Sequence, residues 1–164
     1  MPLTKNEISD MILSAFPDAT LELKDTMGDN NHFEAKIISK IRNDTGWKGL
    51  YFGGTAFKKQ RIIPQEKYGD AAKYATQFMD VVTTSGVATG IEADISKIKT
   101  FRSCIGDSAL AIASGITVDN AKMYSIADCF MVATGINYEN DFYEIDHKKL
   151  SKLLLVCRQI GIGE

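Results

Sequence analysis

The sequence predicts an α/β fold: half of a (β/α)8 barrel, four β-α units long, preceded by a small α-β-β segment. Three observations carry this prediction. Short runs nearly free of polar side chains, Val81-Val82-Thr83-Thr84, Leu110-Ala111-Ile112-Ala113 and Cys129-Phe130-Met131-Val132-Ala133, have the length and composition of strands buried on both faces. Each is followed by a polar turn and then a segment with helical spacing, the order that builds a parallel sheet. One phrase of small residue, hydroxyl, glycine and isoleucine also recurs behind these runs, as Ala88-Thr89-Gly90-Ile91, Ala113-Ser114-Gly115-Ile116 and Ala133-Thr134-Gly135-Ile136.

In chain order, Thr4-Lys5-Asn6-Glu7 sets a hydroxyl three positions before a glutamate, the spacing of a reciprocal helix cap. Ile8, Met11, Ile12, Ala15 and Phe16 follow at helical spacing until Pro17-Asp18. Leu21 and Leu23, the turn Gly28-Asp29-Asn30-Asn31, and Phe33, Ala35 and Ile37 then alternate as two strands. Polar Arg42-Asn43-Asp44-Thr45 marks a junction over 41–46, between a segment of residues 1–40 and a larger unit of 47–164.

In the larger unit, Trp47 to Phe57 reads as a strand running into Gly53-Gly54. After Pro64, Tyr68, Ala71, Ala72, Ala75, Phe78 and Met79 share one helical face ahead of the strand at Val81 to Thr84. Asp94 and Ser96 are candidate caps for a helix that turns Ile95, Ile98 and Phe101 inward and stops at Gly106. The strand around Leu110 to Ala113 leads through Thr117 and Asn120 to a short helix containing Ala121 and Tyr124. Asp128 precedes the fourth strand. Asp146 caps a last helix whose buried face is Leu150, Leu153, Leu154 and Cys157.

With 164 residues and 45 % hydrophobic content, the chain can bury a substantial core. Its 19 basic residues against 21 acidic ones give no global field for nucleic acid. No window has the unbroken apolar length of a membrane span, and Met1-Pro2-Leu3-Thr4-Lys5-Asn6-Glu7 has no secretory leader, so a cytoplasmic protein without membrane partners is expected. Cys104, Cys129 and Cys157 are odd in number and lie in apolar surroundings, as buried thiols do in a reducing compartment. With His32 and His147 the only histidines, no metal site is expected.

The glycine turns point to the chemistry. A glycine behind a parallel strand lets a ligand approach the main chain closely, and the following helix aims unpaired N–H groups at the same spot. Barrels of this class bind phosphate at the loops after their last two strands. Candidate phosphate contacts are therefore Ser85, Gly86, Thr89, Gly90, Ser114, Gly115, Thr134 and Gly135, with Arg61 as a cation; tight strand-to-helix turns would use the same residue types. Lys58 and Asp80, at strand ends, are the candidate acid–base groups. Asp94 and Asp119 are weaker ones, since both also suit helix caps. Lys58, Lys59 and Arg61 beside the glycine pair read either as an anion site or as a solvated loop.

Two family resemblances bear on this. Phe16-Pro17-Asp18-Ala19, Asp25 and Gly28-Asp29-Asn30-Asn31-His32-Phe33-Glu34-Ala35 with Ile37-Ile38-Ser39-Lys40 resemble the N-terminal half of the BolA family, over residues 8–40. That resemblance implies a monothiol glutaredoxin as partner, with His32 approaching a shared iron–sulfur cluster; the family's later histidine-bearing helix has no counterpart here. Asp80-Val81-Val82-Thr83-Thr84-Ser85-Gly86, Ala113-Ser114-Gly115-Ile116-Thr117 with Asn120, and Ala127-Asp128-Cys129-Phe130-Met131-Val132-Ala133-Thr134 are similar to the C-terminal half of the BtpA family, over 47–158. This family has a phosphate-site barrel and is linked to photosystem I biogenesis in cyanobacteria. The resemblance implies a phosphorylated sugar or nucleotide as ligand and names no cofactor. Half a barrel leaves open sheet edges, so a homodimer is expected. A fusion of two partial domains without a function of its own is the remaining alternative.

Overall fold

The structure, a computed structural model, describes residues 5–15, 42 and 44–162. The two expected strands around Leu21 to Leu23 and Phe33 to Ile37, their turn, His32 and the Thr4 cap lie outside the described residues. Helix α1, Lys5–Ala15, covers the first predicted helix. Ile8 and Ile12 are half-buried on it, whereas Met11 is exposed, so the expected apolar stripe is narrower than its spacing implied.

Four strands, β1 (Phe52–Gly54), β2 (Val81–Thr84), β3 (Ala109–Ile112) and β4 (Cys129–Phe130), form one parallel sheet in the order β1-β2-β3-β4. The register pairs Gly53 with Val82, Val82 with Leu110, and Ile112 with Phe130. Between the strands run a short 3-10 turn, Gln65–Lys67, continuing into α2 (Tyr68–Ala75), then α3 (Ile95–Cys104) and a 3-10 turn at Ala121–Tyr124; α4 (His147–Gln159) closes the series. When sequential parallel strands are neighbours and every crossover is right-handed, all the connecting helices fall on one face.

The core shows that face. Val82, Leu110 and Ile112 pack with Ala72 and Ala75 of α2, Ile98 and Phe101 of α3, Tyr124, and Leu153 of α4. Burial of these side chains is the main force holding the layers together, each contributing roughly 1.5–3 kcal/mol for the large apolar ones. On the opposite face, Val81, Thr83 and Ala111 are also buried, so β2 and β3 are covered on both sides, as their unbroken apolar composition requires.

Two strands are shorter than the sequence predicts. The expected strand from Trp47 to Phe57 pairs only over Phe52–Gly54, flanked by bonds from Asp80 and Val81 N–H to the Tyr51 carbonyl and from Thr55 N–H to the Thr83 carbonyl. Ala56 then takes φ +47°, which turns the chain out of the sheet. Likewise β4 is flanked by bonds from Asp128 N–H to the Leu110 carbonyl and from Met131 N–H to the Ile112 carbonyl, before a turn closed by Ile136 N–H on Ala133. The helix caps follow the sequence: the Asp94 carboxylate accepts from Ser96 N–H at 2.7 Å, and the Asp146 carboxylate accepts from Lys148 and Lys149 N–H at 2.8 and 3.2 Å. Among the described residues no helix is long and apolar enough to cross a membrane.

Candidate functional site

The C-terminal ends of the four parallel strands and the loops that leave them enclose two cavities. They meet at Lys58. Its loop, Ala56 to Gln60, is folded back over the sheet: Lys58 N–H donates to the Ser85 hydroxyl at 2.7 Å, and the Gln60 side chain donates to the Gly54 carbonyl at 3.1 Å. Ala56 and Lys59 both have positive φ, +47° and +64°. Backbone held in this sparsely populated region by its surroundings is common where a chain shapes a site.

The smaller cavity, about 50 Å³, lies behind β3 and β4 and is lined by Lys58, Thr89, Gly90, Ser114, Gly115, Thr134 and Gly135 among others. Three copies of the recurring phrase therefore converge on one recess. The Lys58 ammonium donates to the Ala113 carbonyl at 3.1 Å, so its charge stands at the end of β3. The backbone N–H groups of Ser114, Gly115, Thr134 and Gly135 donate to no protein acceptor among the described residues. Donors so placed suit an anion.

The larger cavity, about 760 Å³, opens at the ends of β1 and β2. Lys58, Arg61, Ser85, Gly86, Glu92, Asp94, Lys97 and Tyr124 are among the residues lining it. Ser85, expected as a phosphate donor, is fully buried and already committed, accepting from Lys58 N–H and donating to the Gly86 carbonyl at 2.9 Å. Its hydroxyl shapes the loop. Gly86 N–H donates to the Ser114 hydroxyl at 2.7 Å, which ties the turn after β2 to the turn after β3.

The turn glycines also have neighbours other than those expected. A Cβ on Gly115, which has φ +67°, would stand 2.2 Å from the Glu92 backbone nitrogen, and one on Gly86 would stand 2.4 Å from the Ile91 carbonyl oxygen. Their missing side chains admit another loop of the protein. At Gly90, with φ +78°, the nearest atom to such a Cβ is the Thr134 hydroxyl at 3.6 Å, so this glycine borders open space in the recess. Asn120 reinforces the junction: its amide donates to the Gly115 carbonyl at 2.8 Å and to the Glu92 carboxylate at 3.0 Å.

Asp80 stands apart from both cavities. It precedes β2, at the opposite end of the sheet, where its carboxylate accepts from Tyr51 N–H at 2.6 Å and from the Arg42 guanidinium. Those partners hold its carboxyl below the usual carboxylate range, the Arg42 hydrogen bond first and the Tyr51 N–H second. The position is that of a strand anchor, so geometry separates Asp80 from Lys58. Asp119 is exposed in a turn; Asn120 stands at the N-terminus of the short 3-10 turn, and its side chain accepts from the preceding Thr117 N–H at 2.8 Å rather than capping that turn.

The sequence reading missed Lys97. It lies on the first turn of α3, is 9 % exposed, and donates from its ammonium to the Ala56 and Ser85 carbonyls at 2.5 and 2.9 Å. Its nitrogen stands 5.3 and 5.9 Å from the ring centres of Tyr68 and Phe101. Burial pulls its pKa down to about 8, opposed by the nearby Asp94 charge. A signal was present: Lys97, Phe101 and Ile105 are spaced four apart, on one helix stripe. Opposite in chemistry is Tyr124, whose buried hydroxyl donates to the Ala93 carbonyl at 2.5 Å and is pushed up to about 12 by burial, then by the Glu92 and Asp94 charges. It stays a donor at neutral pH.

Protein-family models, curated proteins and solved structures were compared with this chain, and none matches. Function must therefore be argued from the site. Among the described residues no group of three or more His, Cys, Asp or Glu could hold a metal ion. Burial raises the pKa of the Cys129 and Cys157 thiols, first and foremost, which keeps them protonated and unreactive. His32, the cluster ligand expected from the resemblance to the BolA family, lies outside the described residues.

Proposed function

We propose that this chain is a phosphate-binding module of the BtpA-like barrel type, taking a phosphorylated sugar or nucleotide at the recess behind β3 and β4. One observation carries the proposal: Thr89-Gly90, Ser114-Gly115 and Thr134-Gly135 line a single recess together with Lys58. The recess is small, and its donors suit a phosphoryl group better than a neutral one. Lys58 supplies the charge, Thr89 and Thr134 supply hydroxyls, and the N–H groups of Ser114, Gly115, Thr134 and Gly135 supply the cradle. Arg61, Ser85 and Gly86 belong to the neighbouring cavity, which would take the rest of the molecule.

In the same proposal the four units are half of a ring of eight, closed by a second copy along the edges of β1 and β4. Light scattering should then give a dimer mass; a monomer would remove the ring closure while leaving the phosphate site standing.

Thermal melting with and without inorganic phosphate, sugar phosphates and nucleotides tests the site, since a ligand that binds only the folded chain raises the midpoint. Midpoint rises with phosphorylated compounds, and none with their dephosphorylated forms, are expected. If no phosphorylated compound moves the midpoint at millimolar concentration, the proposal fails.

A further inference from the structure

The larger cavity contains a group that phosphate binding does not use. Lys97 enters it from α3, and no carboxylate forms an ion pair with its ammonium among the described residues. The ionisable groups sharing that cavity are Lys58, Arg61 and Lys59 from the first loop, Tyr68 from α2, Glu92 and Asp94 before α3, and Tyr124. Two of the three ammonium protons are held by the carbonyls of Ala56 and Ser85, at the ends of neighbouring strands. The third proton is then the one given up, and the lone pair that replaces it takes a fixed direction.

The geometry points to Lys97 as an amine nucleophile that condenses with an aldehyde or ketone in the larger cavity, the carbonyl group of a phosphorylated substrate. The inference rests on the phosphate reading only for the other end of that substrate. The uncharged Nζ attacks the carbonyl carbon, forming a C–N bond while the oxygen gains a proton. The resulting carbinolamine loses that oxygen as water, and the C=N bond of an imine remains. Both hydrogens of the departing water can be traced to the amine, so no other reactant is consumed. Burial supplies what the step needs, because a lysine with a pKa near 8 is uncharged in a substantial fraction of molecules at mildly alkaline pH. The rings of Tyr68 and Phe101 beside the nitrogen exclude water from it, and since their faces attract the ammonium form, it is burial that lowers the pKa.

Pyridoxal 5′-phosphate, an aldehyde carrying a phosphate, is the probe. The folded protein is treated with it at pH 8, the imine is reduced with borohydride to a stable secondary amine, and the labelled lysine is located by peptide mass. Label on Lys97 ahead of the surface lysines is expected, and it should vanish in Lys97→Arg, which keeps the cation and its donors. Pyridoxal without the phosphate separates the two inferences. If it labels Lys97 as well, but only at about tenfold higher concentration, both stand. If the two aldehydes label Lys97 equally, the amine assignment stands and the phosphate site fails. Label on Lys58 or on exposed lysines, with Lys97 unmodified in the folded chain, overturns the assignment.

Discussion

Asp80 and Asp128 occupy equivalent places at the entrance to the sheet. Each immediately precedes a strand and accepts the backbone N–H of the preceding strand's edge, from Tyr51 at 2.6 Å and from Leu110 at 2.7 Å. Each also takes an arginine, Arg42 in one case and Arg102 at 2.7 Å in the other. The pair fastens the N-terminal ends of neighbouring strands, and the opposite ends are left to carry the cavities.

Asp80→Asn should therefore weaken the fold without touching the site. A loss of about 1 kcal/mol at pH 7 is expected, since the ion pair is partly exposed. The Asp80 carboxyl lies below its usual value of 3.8, so its contribution is present above that pH and is lost as the pH falls through the lowered value. Urea unfolding of wild type and variant should converge on acidification below about pH 4. A gap that persists at lower pH would remove the carboxylate as its cause.

Lys97 gives a pH dependence of the opposite kind. Its folded pKa of about 8 lies under the ordinary 10.5, so between those values the unfolded chain holds more protons than the folded one. Stability contributed by this group must then rise with pH across that window. Comparison with Lys97→Met isolates the effect from other titrations: the midpoint of wild type relative to the variant should climb by on the order of 3 °C from pH 7.5 to 10. A flat difference would mean that the lysine is not desolvated.

Two substitutions test the recess proposed for phosphate without disturbing its packing. Lys58→Met removes the charge, and Thr134→Val removes a hydroxyl at nearly constant volume. The first should weaken binding of a phosphorylated ligand by tenfold or more, and the second by a few-fold, roughly 1.4 and 0.5–1.5 kcal/mol respectively. Titration calorimetry would show this. Equal affinity in wild type and Lys58→Met would place the anion elsewhere.

Gly115→Val tests something else. Its new side chain would overlap the Glu92 backbone and would sit at φ +67°, so the fold should lose more than about 2 kcal/mol whether or not ligand is present. Circular dichroism melts without ligand decide this. A variant that melts like wild type would show that the turns after β2 and β3 do not interlock as described.

The order of strands and helices from Trp47 onward was legible in the sequence, as were the caps Asp94 and Asp146. These depend on local matters: an apolar run of four residues, a repeat near 3.6, a carboxylate beside free N–H groups. The convergence of Ser114-Gly115 and Thr134-Gly135 was legible too, because parallel strands in chain order must bring their C-terminal turns to one side. The lengths of β1 and β4 were not, since a strand lasts only while its neighbour can pair with it, and Ala56 leaves the sheet early.

The sequence by itself determined an alternating α/β chain with hydroxyl–glycine turns at one end of its strands. Only the tertiary structure decided what each turn faces: Ser85 spent on Lys58, Gly115 pressed against Glu92, Asp80 at the far end of the sheet, and Lys97 drawn inside beside Phe101. Periodicity tells which residues share a face. What packs against that face is set by residues distant in the chain, and it is this packing that commits a hydroxyl, fills the space beside a glycine, or strips water from a lysine.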